Sequence, residues 1–232
     1  YSSAKSYELL HRMAGNGLAA FYRFTRSPCI YSTTMVAIEI TFTNTSDTSI
    51  SGIHVGDKKL GSGVKLYEFQ EIGCLKPGAT ISVTLGVDFN DTTQPANFDI
   101  CTSVHKFPVV IKAPVGEIIQ GCSMNESDFI TAQSKLRGMN ESTGSLTLPS
   151  NQETREDICS RVCAAANVTP VLGSPSDETG EVYRFAGKTL TLGIPVFVMI
   201  RVRDSDCIIT VNSEKMVINS ILVKEIQNSL QL

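Results

Sequence analysis

The hydrophobic period of the chain changes once, near Ala113-Pro114-Val115-Gly116, and this change restricts the fold more than any other feature. Before it the apolar residues alternate: Val36, Ile38, Ile40 and Phe42, then Ile81, Val83, Leu85, Val87 and Phe89. A period of two puts them on one face of a strand. After it, helical spacing enters and mixes with strands. Two units of different class, 1–115 and 116–232, joined by a short Pro/Gly segment, suit a jointed binding module better than an enzyme. With 232 residues in all, each unit is large enough for a modest core of its own.

The first unit reads as an all-β, immunoglobulin-like sandwich. Strands are expected at 18–25, 35–43, 50–55, 64–69, 79–89, 96–104 and 107–112, punctuated by Asn44-Thr45-Ser46-Asp47, Gly61-Ser62-Gly63 and Pro77-Gly78. The second unit reads as a smaller α+β platform, an antiparallel sheet with flanking helices. Ser123 with Glu126 forms a capping-box pattern that predicts a helix over 124–136, ended by Gly138. Ser150 with Glu153 predicts another, running to about residue 166, with Ile158, Val162 and Ala166 as its buried stripe. Strands are expected at 144–149, 168–172, 181–186, 195–203 and 207–212, the last two forming a hairpin around Asp204-Ser205-Asp206. A final helix over 217–230 carries Ile218, Leu222, Ile226 and Leu230 at four-residue spacing, and residues 174–180 read as a mobile loop.

Charge gives no sign of a nucleic-acid partner. The net charge is −3, and the halves hold 10 Lys+Arg against 9 Asp+Glu and 10 against 14. The longest apolar run, 194–200, is too short to span a bilayer. The chain opens on Tyr1-Ser2-Ser3-Ala4-Lys5, which is expected of a fragment cut from a longer protein. Seven cysteines at irregular spacing, without C-x-x-C, favour reduced thiols in the cytosol. Sequons at Asn44, Asn90, Asn125, Asn140 and Asn167 keep a secreted or cell-surface β-sandwich binding protein as the alternative.

Catalytic patterns are weak. Cys159 and Cys163 share a helical face, but His11, His54 and His105 all lie in the other half, so neither a metal nor a cofactor is expected. Asp88 with Asp91, and Asp204 with Asp206, sit where turns favour Asp. No G-x-S-x-G or P-loop spacing occurs. The stretch Glu181-Val182-Tyr183-Arg184-Phe185-Ala186-Gly187-Lys188 is a better lead. Aromatics interleaved with cations suit a peptide groove; they equally suit a strand with an aromatic core side and a solvated charged side.

Several stretches, in order and along essentially the whole chain, resemble the carboxyl-terminal region of the beta subunit of adaptor protein complex three. They are Glu8-Leu9-Leu10-His11-Arg12-Met13-Ala14-Gly15, Val115-Gly116-Glu117, Gly138-Met139-Asn140-Glu141, Tyr183-Arg184-Phe185-Ala186-Gly187-Lys188-Thr189 and Val211-Asn212-Ser213-Glu214-Lys215-Met216-Val217-Ile218. The resemblance implies a non-catalytic appendage, a sandwich followed by a platform, that recruits accessory proteins through short linear motifs. It implies other adaptor subunits as partners through the parent chain, and indirect membrane association. The implied place is the cytosolic face of Golgi, endosomal and coated-vesicle membranes, during sorting toward lysosomes. Related endocytic appendages build a platform site on a Trp, a Tyr and an acidic residue. Here the Trp position falls near Gln133 or Ser134, the Tyr position near Phe185 with Tyr183 close by, and the acidic position near Met199. The chain has no Trp. Losing such an anchor weakens binding by about 2 kcal/mol or more. The expected peptide surface is Tyr183, Phe185, Lys188, Met199 and Arg201.

Overall fold

The computed structural model describes residues 5–149 and 154–232. It is mostly antiparallel sheet with three helices among the described residues, and it divides into two compact units that meet in sequence at Ala113 and Pro114.

The amino-terminal unit is sandwich-like. Its strands are β1 (Tyr7–Leu10), β2 (Leu18–Phe24), β3 (Val36–Asn44), β4 (Ile50–Leu60), β5 (Lys65–Tyr67), β6 (Ile72–Leu75), β7 (Thr80–Asp88), β8 (Ala96–Cys101) and β9 (Lys106–Ile111). One sheet is ordered β1-β2-β3-β7-β5, the other β6-β4-β8-β9. The alternation in β3 holds: Val36, Ile38, Ile40 and Phe42 are buried, while Glu39, Thr41 and Thr43 are not. In β7 it does not: the start, Ile81 included, is exposed, and at the far end Leu85, Gly86, Val87 and Asp88 are all buried. β1 and β6 carry too few alternating residues to be legible, and β4 runs past its expected end through an irregularity between Val55 and Lys58.

At the end of β3, Asn44 is fully buried. Its Nδ2 donates to the carbonyls of Thr48 (2.8 Å) and Leu75 (2.9 Å), and its Oδ1 accepts from the Ser46 N–H (2.9 Å) and hydroxyl (2.7 Å). A sequon asparagine so engaged is a turn clasp, and its amide is closed to a glycan in the folded state. No disulfide links any of the seven cysteines.

The carboxyl-terminal unit contains β10 (Ile119–Gly121), α1 (Glu126–Ser134), β11 (Glu141–Thr147), α2 (Arg155–Ala165), β12 (Thr169–Pro170), β13 (Ser176–Asp177), β14 (Gly180–Thr189), β15 (Pro195–Arg203), β16 (Asp206–Asn212) and α3 (Met216–Leu230). The sheet is ordered β10-β14-β15-β16-β11, with β12 and β13 also paired to β14. The hairpin β15–β16 turns at Asp204-Ser205, where Asp204 takes a positive φ of 56°. Strand parity and register put Tyr183, Phe185, Val198, Ile200, Ile209 and Val211 on one face. All six are buried, as are Ile218, Leu222, Ile226 and Leu230 of α3. Each such side chain contributes roughly 1.5–3 kcal/mol of hydrophobic stabilisation. α3 comes so near β11 that a Cβ on Gly144 would sit 2.6 Å from Val223 Cγ1.

Both helix starts differ from expectation. α1 is capped by Asn125, whose Oδ1 accepts from the Asp128 N–H at 2.7 Å. Glu126 serves elsewhere: its carboxylate accepts from the Ser174 N–H at 2.8 Å and pairs with Arg184 at 3.3 Å. α2 opens on a reciprocal box between Thr154 and Asp157, while Ser150 and Glu153 lie outside the described residues. Residues 174–180 form a small hairpin, β13 pairing with the start of β14.

Candidate functional site

The second face of the sheet carries Arg184 and Ala186 on β14, Phe197, Met199 and Arg201 on β15, and Thr210 and Asn212 on β16. α1 lies across part of it. Phe129, fully buried, packs on Val171, Ala186 and Phe197, with its ring edge-on to Phe197 at 5.2 Å. Polar ties hold both ends of the helix. Near its start Glu126 binds Arg184 and the Ser174 N–H; past its end Asn212 Nδ2 donates to the Leu136 carbonyl and to Glu141 Oε2 (2.9 Å). Gln133 Nε2 in turn donates to Asn212 Oδ1 at 3.1 Å.

Beside α1 this leaves a groove of about 380 Å³, lined by Ile130, Gln133, Ser134, Arg137, Glu141, Arg184, Met199 and Arg201. Its volume lies in the range of sites that accept a small ligand or a few side chains. Arg184 is recessed, with 11% of its side chain exposed, and its Nε is buried without a hydrogen-bond partner among the described residues. Such an unmet donor costs about 1–3 kcal/mol.

The groove receives two of the expected site residues, Met199 and Arg201. Lys188 shares the face but lies beyond Ala186, which α1 covers, and is not in the groove. Tyr183 (2% exposed) and Phe185 (0%) point to the opposite face and are core residues, a correction to the expected peptide surface. A shift of one residue on a strand reverses the face, so the position matched to Phe185 is filled in the groove by Arg184. Gln133 and Ser134, matched to the Trp position, do line it. Ile130, Arg137 and Glu141 escaped the sequence reading, because single exposed residues in mid-helix, in a connecting turn and at a strand start leave no periodic signal.

On the core face, the Tyr183 hydroxyl donates to Glu181 Oε2 at 2.6 Å, and the Arg155 guanidinium lies 4.6 Å from the ring centroid. Burial, then the Glu181 carboxylate, pushes the phenol upward, so it stays neutral.

At the groove's other end, Arg201 binds Asp177 of the small hairpin at 2.7 Å and also the Thr179 hydroxyl. Hydrogen bonds from Thr179, then Arg201, hold the Asp177 carboxyl down at about 2. A depressed carboxylate stabilises the folded arrangement above its unfolded pKa, and that contribution is lost as pH falls through the folded value. The hairpin clasp is therefore expected to be fully present above about pH 4 and to open toward pH 2. Carboxyl NMR should give a midpoint near 2 for Asp177; a midpoint at the ordinary 3.8 would show that Thr179 and Arg201 do not hold it.

Among the described residues no group of His, Cys, Asp and Glu is placed to hold a metal ion, and no helix is long and apolar enough to cross a membrane.

Two family models match. That for the C-terminal region of the clathrin-adaptor complex-3 beta-1 subunit matches residues 1–94, and that for the C-terminal domain of AP-3 complex subunit beta-1 matches 116–230. The chain is 44% identical to mouse AP-3 complex subunit beta-2 over 230 residues, covering 99% of this chain and 21% of the relative. It is 41% identical to human AP-3 complex subunit beta-1 over 224 residues, covering 96% of this chain and 20% of that protein. With AP3-complex subunit beta-A of Arabidopsis thaliana it shares 24% identity over 267 residues, 97% of this chain and 27% of the relative. The chain thus spans about a fifth of the length of the mouse and human relatives. With both units matched in order, the chain belongs to the family of carboxyl-terminal domains of AP-3 complex beta subunits.

Proposed function

We propose that this chain is the appendage of a vesicle-coat adaptor subunit, an immunoglobulin-like sandwich (1–115) followed by a platform (116–232), that recruits accessory or regulatory proteins through short linear motifs. The chain is non-catalytic, as is its adaptor family. The parent subunit joins it to the other adaptor subunits and brings it indirectly to the cytosolic face of Golgi, endosomal and coated-vesicle membranes. There it serves sorting toward lysosomes and lysosome-related organelles.

The observation that carries this reading is the groove beside α1. Its apolar floor is Met199, and its wall carries Ile130, nearly half exposed. A cleft that sets Ile130 and Met199 among arginines is the kind of surface on which a few peptide side chains deliver most of the affinity.

The test compares the whole chain with its Met199→Asp variant. The wild type is expected to retain trafficking proteins from cytosol. The variant is expected to lose them while remaining folded, with a single cooperative melting transition, because Met199 is only partly buried and lies beside Arg184 and Arg201. Retention that survives the substitution would move the recruiting surface away from the groove.

A further inference from the structure

We propose that the loop end of the amino-terminal unit docks directly on an anionic lipid surface, with Met13 and Val104 entering the bilayer interface and the basic side chains beside them meeting acidic headgroups. The proposal is independent of the groove in the other unit.

Strand register gathers four connections at one end of the sandwich. Leu18 pairs with Asn44 and Thr43 with Thr80, so the loops 11–17, 45–49 and 76–79 adjoin. The Ser103 N–H donates to the Ser51 carbonyl at 2.9 Å, beside Ile50, which pairs with Leu75; the loop 102–105 therefore lies at the same end. β9 runs away from these loops to Ile111, where the chain leaves the unit.

Two of the loops hold an apolar tip in water. Met13 is 75% exposed and Val104 78%. The N–H groups of Gly15 and Gly17 donate to the His11 and Arg12 carbonyls at 2.9 and 2.8 Å, closing a tight turn around Met13. The Met13 N–H itself donates to His11 Nδ1 at 3.1 Å. In the other loop Thr102 Oγ1 accepts from the Val104 and His105 N–H groups at 3.3 and 3.0 Å. Asn16 Nδ2 joins the two loops, reaching His105 Nε2 at 3.5 Å. Backbone that enters a bilayer must find its hydrogen bonds within the protein, and these bonds meet part of that demand at both tips.

Charge selects the lipid. The charged side chains of the four loops, the histidines aside, are Arg12 and Lys76 against Asp47. Lys106, the next residue after the last loop, is exposed and meets only Asp57, at 3.4 Å. Long basic side chains can lie in the headgroup layer while the apolar tips go deeper. Each cation near an acidic leaflet strengthens binding about fivefold. Tips so exposed enclose no peptide, whereas a bilayer interface moulds around them. Affinity of this size is modest for a free domain and becomes effective for a tethered one.

The whole chain is sedimented with vesicles of phosphatidylcholine, alone or mixed with phosphatidylserine. Binding to the mixed vesicles is expected to be about tenfold stronger and to fall as salt rises. Arg12→Gln and Lys76→Gln are each expected to weaken it about fivefold, and Met13→Asp combined with Val104→Asp to abolish it. Met199→Asp, in the groove, is expected to leave it unchanged. Because the chain has no Trp, Met13→Trp and Val104→Trp each introduce a sole indole. The emission of each is expected to move to shorter wavelength on the mixed vesicles. That of Tyr67→Trp is expected to stay put, since β5 pairs with the part of β7 that faces the start of β3, at the other end of the sandwich. No sedimentation with the mixed vesicles would overturn the proposal. So would equal binding to phosphatidylcholine alone, or binding that survives the double substitution. A cytosolic protein retained through Met13 and Val104, without vesicle binding, would assign the loops to a protein partner and overturn it as well.

Discussion

Phe129→Ala is expected to cost about 3–5 kcal/mol and to free α1 from the sheet. The helix has nine residues. Isolated helices shorter than roughly 12–15 residues are marginal in water, so α1 depends on its contact with the sheet. That contact has one fully buried member, Phe129, set on Val171, Ala186 and Phe197. Met124, Ala132, Leu136 and Cys122 pack around it but are only partly buried. Removing the ring leaves a cavity beneath a segment that has little else apolar to offer, and the groove loses the wall formed by Ile130, Gln133 and Ser134. Denaturation in urea should show a lowered midpoint, and amides over 126–134 should exchange faster with solvent. A loss below about 1 kcal/mol with those amides still protected would mean that the polar ties through Glu126 and Asn212 hold the helix by themselves.

The elements legible in the sequence were those whose burial is one-sided along many residues. β3, β15 and α3 each keep an unbroken apolar face, and their limits emerged within about two residues of expectation. The start of α1 was not legible, because Ser123, Asn125, Glu126 and Asp128 offer two overlapping capping registers. Tertiary demand decides between them: Glu126 is taken by Arg184 and the Ser174 N–H, leaving Asn125 and Asp128 to cap the helix. β1, β10 and β13 are held by their neighbours, and so short a strand carries no pattern of its own.

The site was half legible for a related reason. Interleaved aromatics and cations drew attention to β14 and Arg201, the resemblance added Met199, and Met199 and Arg201 do face the groove. Val182 and Ala186 on one face of β14, and Tyr183 and Phe185 on the other, are all apolar or aromatic and buried, so alternation could not say which side was open. The informative residue was Arg184. A cation between two aromatics in an otherwise buried strand must point away from them, which marks the opposite parity as the polar side.

The Pro/Gly joint that reads as a hinge behaves otherwise at one residue, and Gly116→Ala is expected to cost about 3 kcal/mol. A Cβ there would lie 1.9 Å from the carbonyl oxygen of Ala165 and 2.8 Å from Cα of Ala166. Both are backbone atoms at the end of α2, so no side-chain rotation relieves the clash. The segment has little room to shift. The N–H groups of Val115 and Gly116 donate to the two Glu225 carboxylate oxygens at 3.2 and 3.3 Å, and the Gly116 carbonyl accepts from the Asn167 N–H at 3.2 Å. Gly116 thus serves close approach between the 115–116 turn, α2 and α3 rather than freedom of motion. Gly73→Ala is the control, because a Cβ there meets nothing within 4 Å; its effect is expected to stay within about 0.5 kcal/mol. Urea midpoints for the two variants, with unchanged denaturant slopes, give the comparison directly. If Gly116→Ala proved as mild as Gly73→Ala, the 115–116 turn would have to yield, and its packing on α2 and α3 would not constrain it.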